Sequence, residues 1–93
     1  MSEIKRKGTP MIEELLTSRN YTHGDFTNNA RVSRALKFII TNHAGHEVSP
    51  TQREALDMIC LKISRIITGD PNFKDHWDDI AGYARLVADR CPK

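Results

Sequence analysis

Apolar residues recur at three- and four-residue steps in four separate stretches of the chain, the spacing of amphipathic helices. The strongest pattern runs through DPNFKDHWDDIAGYARLVA, residues 70–88. Phe73, Trp77, Ile80, Ala81, Ala84, Val87 and Ala88 mark one side, and Asp75, Asp78 and Asp79 lie off it. Asp70 suits an N-cap and Pro71 the first helical position, so a helix is expected from Asp70 to Ala88. Gly82 falls inside it, where glycine costs about 1 kcal/mol relative to alanine. A glycine there suggests close approach of backbone or ligand.

The helix before it has a clear start: Ser49 as N-cap, Pro50 as first residue and Gln52 at the capping-box position. Leu56, Ile59, Ile63, Ile66 and Ile67 form its inward stripe, and Gly69 ends it. A second helix is expected over about Asn28–Asn42, with Val32, Leu36, Ile39 and Ile40 inward and Ala35 beside them. Pro10 opens a short first helix carrying Met11, Ile12, Leu15 and Leu16, with Glu13 and Glu14 near its positive end. Between the first two helices, SRNYTHGDF (18–26) reads as a loop. Gly24 supplies a positive-φ turn there, and Asp25 or Thr27 caps the second helix. HAGHE, around Gly45, separates the second and third helices.

The predicted fold is all-α: a four-helix bundle-like domain closed by a C-terminal antiparallel hairpin. Residues 1–9 form a flexible basic tail and 10–93 a single helical domain. The short connection at Gly69 makes the last two helices antiparallel neighbours. Counting outward from that turn sets Lys62 opposite Asp79, Arg65 opposite His76 and Met58 opposite Tyr83.

With 93 residues the core is thin, so association into a homo-oligomer is expected. Fourteen Lys and Arg against twelve Asp and Glu give a net charge of +2, compatible with anionic partners. The basic groups are few and no recognition helix stands out, so DNA is not the expected partner. No stretch suits a membrane span or a signal peptide, which points to the cytoplasm. Cys60 falls in an apolar helix and Cys91 near the end, a buried and an exposed free thiol rather than a pair.

Three side-chain groups could carry chemistry. Lys62 and Arg65 with Asp75, Asp78 and Asp79 form either a register-fixing ion-pair network or the surround of a polar ligand. Glu54/Asp57 and Asp75/Asp78 are spaced for Mg²⁺, but counting from the turn puts Glu54 near Val87, away from Asp75. Arg19, Tyr21, His23, Arg31 and Arg34, with Asp25 among them and Lys37 continuing the arginine row, combine phosphate donors with a ring that can stack on a base. The plain alternative is a solvated helix face. His43, His46 and His76 lack partners at zinc spacing, and no phosphate loop or activated nucleophile is evident. No metal or cofactor is expected.

YTHGDF, SPTQREALDMICLKISRIITGDP and DHWDDIAGYARLV resemble a family of small phage and prophage proteins. That family carries a tyrosine-glycine-aspartate-phenylalanine loop, an LK–(two residues)–R helix, GDP, and a D-x-W-x-DIAGYA helix. Here Thr22 and His23 stand between Tyr21 and Gly24, where the family has tyrosine directly before glycine. The resemblance implies an all-α fold and a phage protein acting in the host cytoplasm. A more distant likeness is to all-α MazG-type nucleotide pyrophosphohydrolases, with Glu54/Asp57 and Asp75/Asp78 at the positions of the Mg²⁺ ligands.

The expected function is sequestration of a phosphate-bearing nucleotide, a cyclic oligonucleotide or a related immune signal. Arg19, Tyr21, His23, Asp25, Arg31 and Arg34 would hold it, supported by Lys62 and Asp79. The alternatives are a Mg²⁺-dependent pyrophosphohydrolase and a factor docking on a host protein through Phe38 and Met58.

Overall fold

The computed structural model describes residues 11–43 and 47–92. The basic tail, Gly45 and His46 lie outside them. Four helices come in order: α1 (Ile12–His23), α2 (Phe26–His43), α3 (Pro50–Thr68) and α4 (Lys74–Ala88). There is no strand among the described residues, and no helix among them is long and apolar enough to cross a membrane.

α3 is the shared element. It packs against α2 on one side, α4 on the other and α1 near one end, while α2 and α4 do not touch. The arrangement is an open layer rather than a closed bundle, extending 59 × 26 × 23 Å. Its start agrees with the sequence: the Ser49 hydroxyl accepts from the Gln52 N–H at 3.1 Å, and the Gln52 side chain accepts from the Ser49 N–H at 2.9 Å. Ala55, Cys60 and Ile66 are buried along it, joined by the polar Ser64. Cys60 and the exposed Cys91 are both free thiols.

The stretch 18–26 is not a loop. α1 continues through Arg19, Asn20, Tyr21 and Thr22 to His23, and only Gly24 and Asp25 connect it to α2. Nothing before Gly24 breaks a helix, and the last carbonyls of α1 find donors from the rest of the fold. The Thr22 carbonyl accepts from the Asp70 N–H (3.3 Å) and from His76 Nε2 (3.0 Å). The His23 carbonyl accepts from Asn29 Nδ2 (3.3 Å) and Thr68 Oγ1 (3.4 Å). Orphan carbonyls at a helix C-terminus need such partners.

α4 begins at Lys74, four residues later than expected. Asp70 spends its acceptors on a turn: its carboxylate takes the Asn72 N–H (2.9 Å) and its carbonyl the Phe73 N–H (3.1 Å). Pro71 therefore sits in that turn, a position its fixed φ suits. The inward face of α4 also differs. Trp77, Ala81 and Ala88 face outward, and the buried residue is His76, with Phe73, Ile80, Tyr83 and Val87 half-buried beside it. Trp77 instead lies back over the turn, its indole N–H donating to the Pro71 carbonyl at 2.8 Å.

Two glycines mark where α1 crosses the α3–α4 turn. Gly24 has φ +86°, and a β-carbon there would lie 2.7 Å from the Thr68 carbonyl oxygen. Gly69 does not adopt the left-handed conformation of many helix ends; its φ is −120°. Its requirement is contact, because a β-carbon would lie 2.5 Å from the Gly24 nitrogen. Gly82 is the opposite case: a β-carbon there would meet nothing within 4 Å, so no backbone approaches it among the described residues.

The pairing of Lys62 with Asp79 is as counted from the turn. Lys62 Nζ lies 2.9 Å from Asp79 Oδ2.

Candidate functional site

α1, α2 and α3 enclose a cavity of about 420 Å³ beside the Gly24 connection. α1 contributes Arg19 from its last turns, and α2 contributes Arg34 and Lys37, three residues apart on one face. Arg65 reaches it from α3, while Leu16, Phe26 and Leu61 supply apolar wall. Four cationic side chains thus line the cavity, and no carboxylate among the described residues does.

Arg65 is the most constrained of the four. Its Nε is buried and has no hydrogen-bond partner among the described residues. Burial and the nearby Arg19 both push its pKa down, and Asp79 pulls the other way. A buried guanidinium nitrogen without an acceptor is costly. An anion entering the cavity would offset the cost of desolvation and lessen the repulsion between like charges.

His23 lines the cavity, and His76 backs it from outside the lining. His76 is 1% exposed, the most buried ring of the described residues. Its Nε2 lies 3.0 Å from the Thr22 carbonyl and 3.1 Å from His23 Nδ1. A carbonyl can only accept, so His76 Nε2 carries the proton and His23 Nδ1 is an acceptor. His23 therefore holds its own proton on Nε2. Phe73 packs edge-on to both rings. Burial first, then the charges of Arg65, His76, Arg19 and Lys62, lower the His23 pKa to about 4. His23 is thus neutral near pH 7, a hydrogen-bond donor among cations.

Asn29, which lines the cavity, is held at both ends of its side-chain amide. Its amide donates to the His23 carbonyl, and its side-chain oxygen takes the Ser64 hydroxyl, which also reaches the Asn29 carbonyl at 2.9 Å. This buried set ties α2 and α3 to the end of α1 and holds the cavity walls in register.

Of the eight residues expected to hold or support the ligand, Arg19, His23 and Arg34 come together here. The others do not line this cavity. Tyr21 is 75% exposed on the outer side of α1. Asp25 caps α2, its carboxylate accepting from the Asn28 N–H at 3.2 Å. Arg31 lies along α2 and donates to Asn28 Oδ1 at 3.0 Å. Lys62 and Asp79 pair with each other across the hairpin.

Lys37 and Arg65 line the cavity instead, with Phe26 and Asn20. Lys37 was legible as the continuation of the Arg34 row. Arg65 pointed in sequence to the hairpin acids, and only the approach of α1 turns it toward the cavity. Phe26, read as the end of a loop, is the first residue of α2.

The acids stay apart. Asp78 pairs with Lys74 at 2.6 Å on the exposed side of α4. Among the described residues no three His, Cys, Asp or Glu side chains converge as a metal site would require. Glu54/Asp57 and Asp75/Asp78 thus do not form one shared cluster. A second cavity, about 360 Å³ between α3 and α4, is lined chiefly by Val48, Ala55, Leu56, Ile59, Tyr83 and Val87, with no charged group among the described residues.

A family model described as "Domain of unknown function (DUF6378)" matches residues 11–90. No curated protein and no solved structure matches the chain.

Proposed function

The chain belongs to the DUF6378 family, and from its cavity we propose that it binds a phosphate-bearing nucleotide or a signalling molecule derived from one. The observation that carries this reading is the set Arg19, Arg34, Lys37 and Arg65 around one cavity, without a lining carboxylate among the described residues. Arginines offer paired donors matched to phosphate oxygens, and lysine adds a mobile charge. The unpartnered Arg65 Nε supports it further, as does neutral His23 with a ring N–H to give.

The mechanism is capture. The phosphate replaces water around four cations whose mutual repulsion it lessens, and the apolar wall of Leu16, Phe26 and Leu61 takes the rest of the ligand. The resemblance to small phage and prophage proteins extends the reading to a phage-encoded factor that withdraws a nucleotide signal from its host.

Calorimetric titration with nucleoside phosphates and cyclic oligonucleotides tests it. Binding in the micromolar range is expected, falling at least tenfold in Arg65→Ala and weakening steeply with added salt. Absence of heat with every such ligand at protein concentrations near a millimolar would overturn it.

A further inference from the structure

The cavity is divided. Arg19, Arg34, Lys37 and Arg65 supply its charge, whereas Phe26, 80% exposed, and the exposed Leu16 supply apolar surface open to solvent. A large aromatic ring that lines a cavity yet stays open to solvent is poorly used in packing and well placed for stacking. Beside it lies Asn20. Its main-chain carbonyl is used by the Gly24 N–H, but its side-chain amide has no partner among the described residues, unlike that of Asn29. An amide carries both a donor and an acceptor, the pair that reads a base edge.

We infer that Phe26, Leu16 and Asn20 form a base subsite, and that the ligand is a single nucleotide unit with its base stacked on Phe26 and its phosphates among the four cations. The inference rests on the phosphate-binding reading of the same cavity. Size supports a single unit: ligand cavities run from about 300 to 1,000 Å³, and at about 420 Å³ this one is near the lower end. Tyr21, the other exposed ring of this region, does not line the cavity and takes no part.

The test compares inorganic phosphate, nucleoside 5′-monophosphates and a cyclic dinucleotide by calorimetry on the full chain. Nucleoside monophosphates are expected to bind on the order of tenfold or more tighter than phosphate, the range that one base–aromatic stack supplies. Phe26→Leu, which keeps the apolar area but not the ring, is expected to narrow that ratio toward one, and Phe26→Trp to keep it. Because the side chain is exposed, circular dichroism of these variants should match the parent.

Equal affinity for phosphate and nucleotide overturns the base subsite and leaves the phosphate site standing. So does a ratio unmoved by Phe26→Leu. Tighter binding of the cyclic dinucleotide than of any monophosphate overturns the single unit. No binding by any of the three removes the phosphate-binding reading itself.

Discussion

The backbone nitrogen of Gly24 lies where a β-carbon on Gly69 would come within 2.5 Å of it. The end of α1 and the α3–α4 turn therefore meet backbone to backbone, and the cavity wall is fixed at that crossing. Gly69→Ala must push the two segments apart and is expected to cost about 1–3 kcal/mol or more, as overpacking does. Gly24→Ala adds a positive φ to a similar clash. Gly82→Ala is the control: with open space around it, removing a helix-interior glycine should stabilise by about 0.5–1 kcal/mol. Urea denaturation of the three variants separates these outcomes.

His76 holds the Thr22 carbonyl and orients His23 at once. His76→Leu keeps the bulk but removes the donor, leaving that carbonyl only the long bond from Asp70. A loss of about 1–3 kcal/mol is expected. The change also frees the His23 tautomer, so the environment of that ring should alter in nitrogen-detected NMR.

His23 carries a pH signature. Its folded pKa, about 4, is below the ordinary 6.5, so between those values the unfolded chain binds more protons. The stability this contributes is complete above pH 6.5 and is lost as pH falls toward 4. Asp79 acts lower: its hydrogen bond from Lys62 holds its carboxyl below the ordinary 3.8, so its contribution persists until the pH falls below that value. Thermal melts from pH 7 to 4.5 should therefore decline, and His23→Gln should flatten the decline across that window.

The Lys62–Asp79 ion pair fixes register more than it stabilises. Lys62 is nearly enclosed, but the Asp79 side chain is 47% exposed. A double-mutant cycle with Lys62→Met and Asp79→Asn should give only a small coupling, reduced further by added salt. The Lys74–Asp78 pair, open to water on both sides, should give less.

Helix identity was legible because periodicity and capping agree along α3, where Ser49, Pro50 and Gln52 leave little choice. The hairpin register came from counting alone, and Lys62 meets Asp79 accordingly. What sequence hid was the turn at Asp70: an aspartate before a proline serves an Asx turn as readily as a helix cap, and hydrogen bonds with Asn72 and Phe73 decide between them. The helical course of 18–23 was hidden for a related reason. Polar residues without a breaker remain helical when distant groups, here His76, Asn29 and Thr68, donate to their carbonyls. The cavity shares that origin. Arg19 and Arg34 belong to stretches that sequence pointed to, but Arg65 joins them only through a crossing between residues over forty positions apart, which no local pattern encodes.

Because α2 and α4 meet only through α3, neither can shelter the other's amides from water. Hydrogen exchange should be slowest in the middle of α3, around Cys60 to Ser64, and fastest in the early turns of α1, which bury no side chain. Opening would thus proceed from the flanks inward, and the cationic cavity would lose its α1 wall before the hairpin lets go.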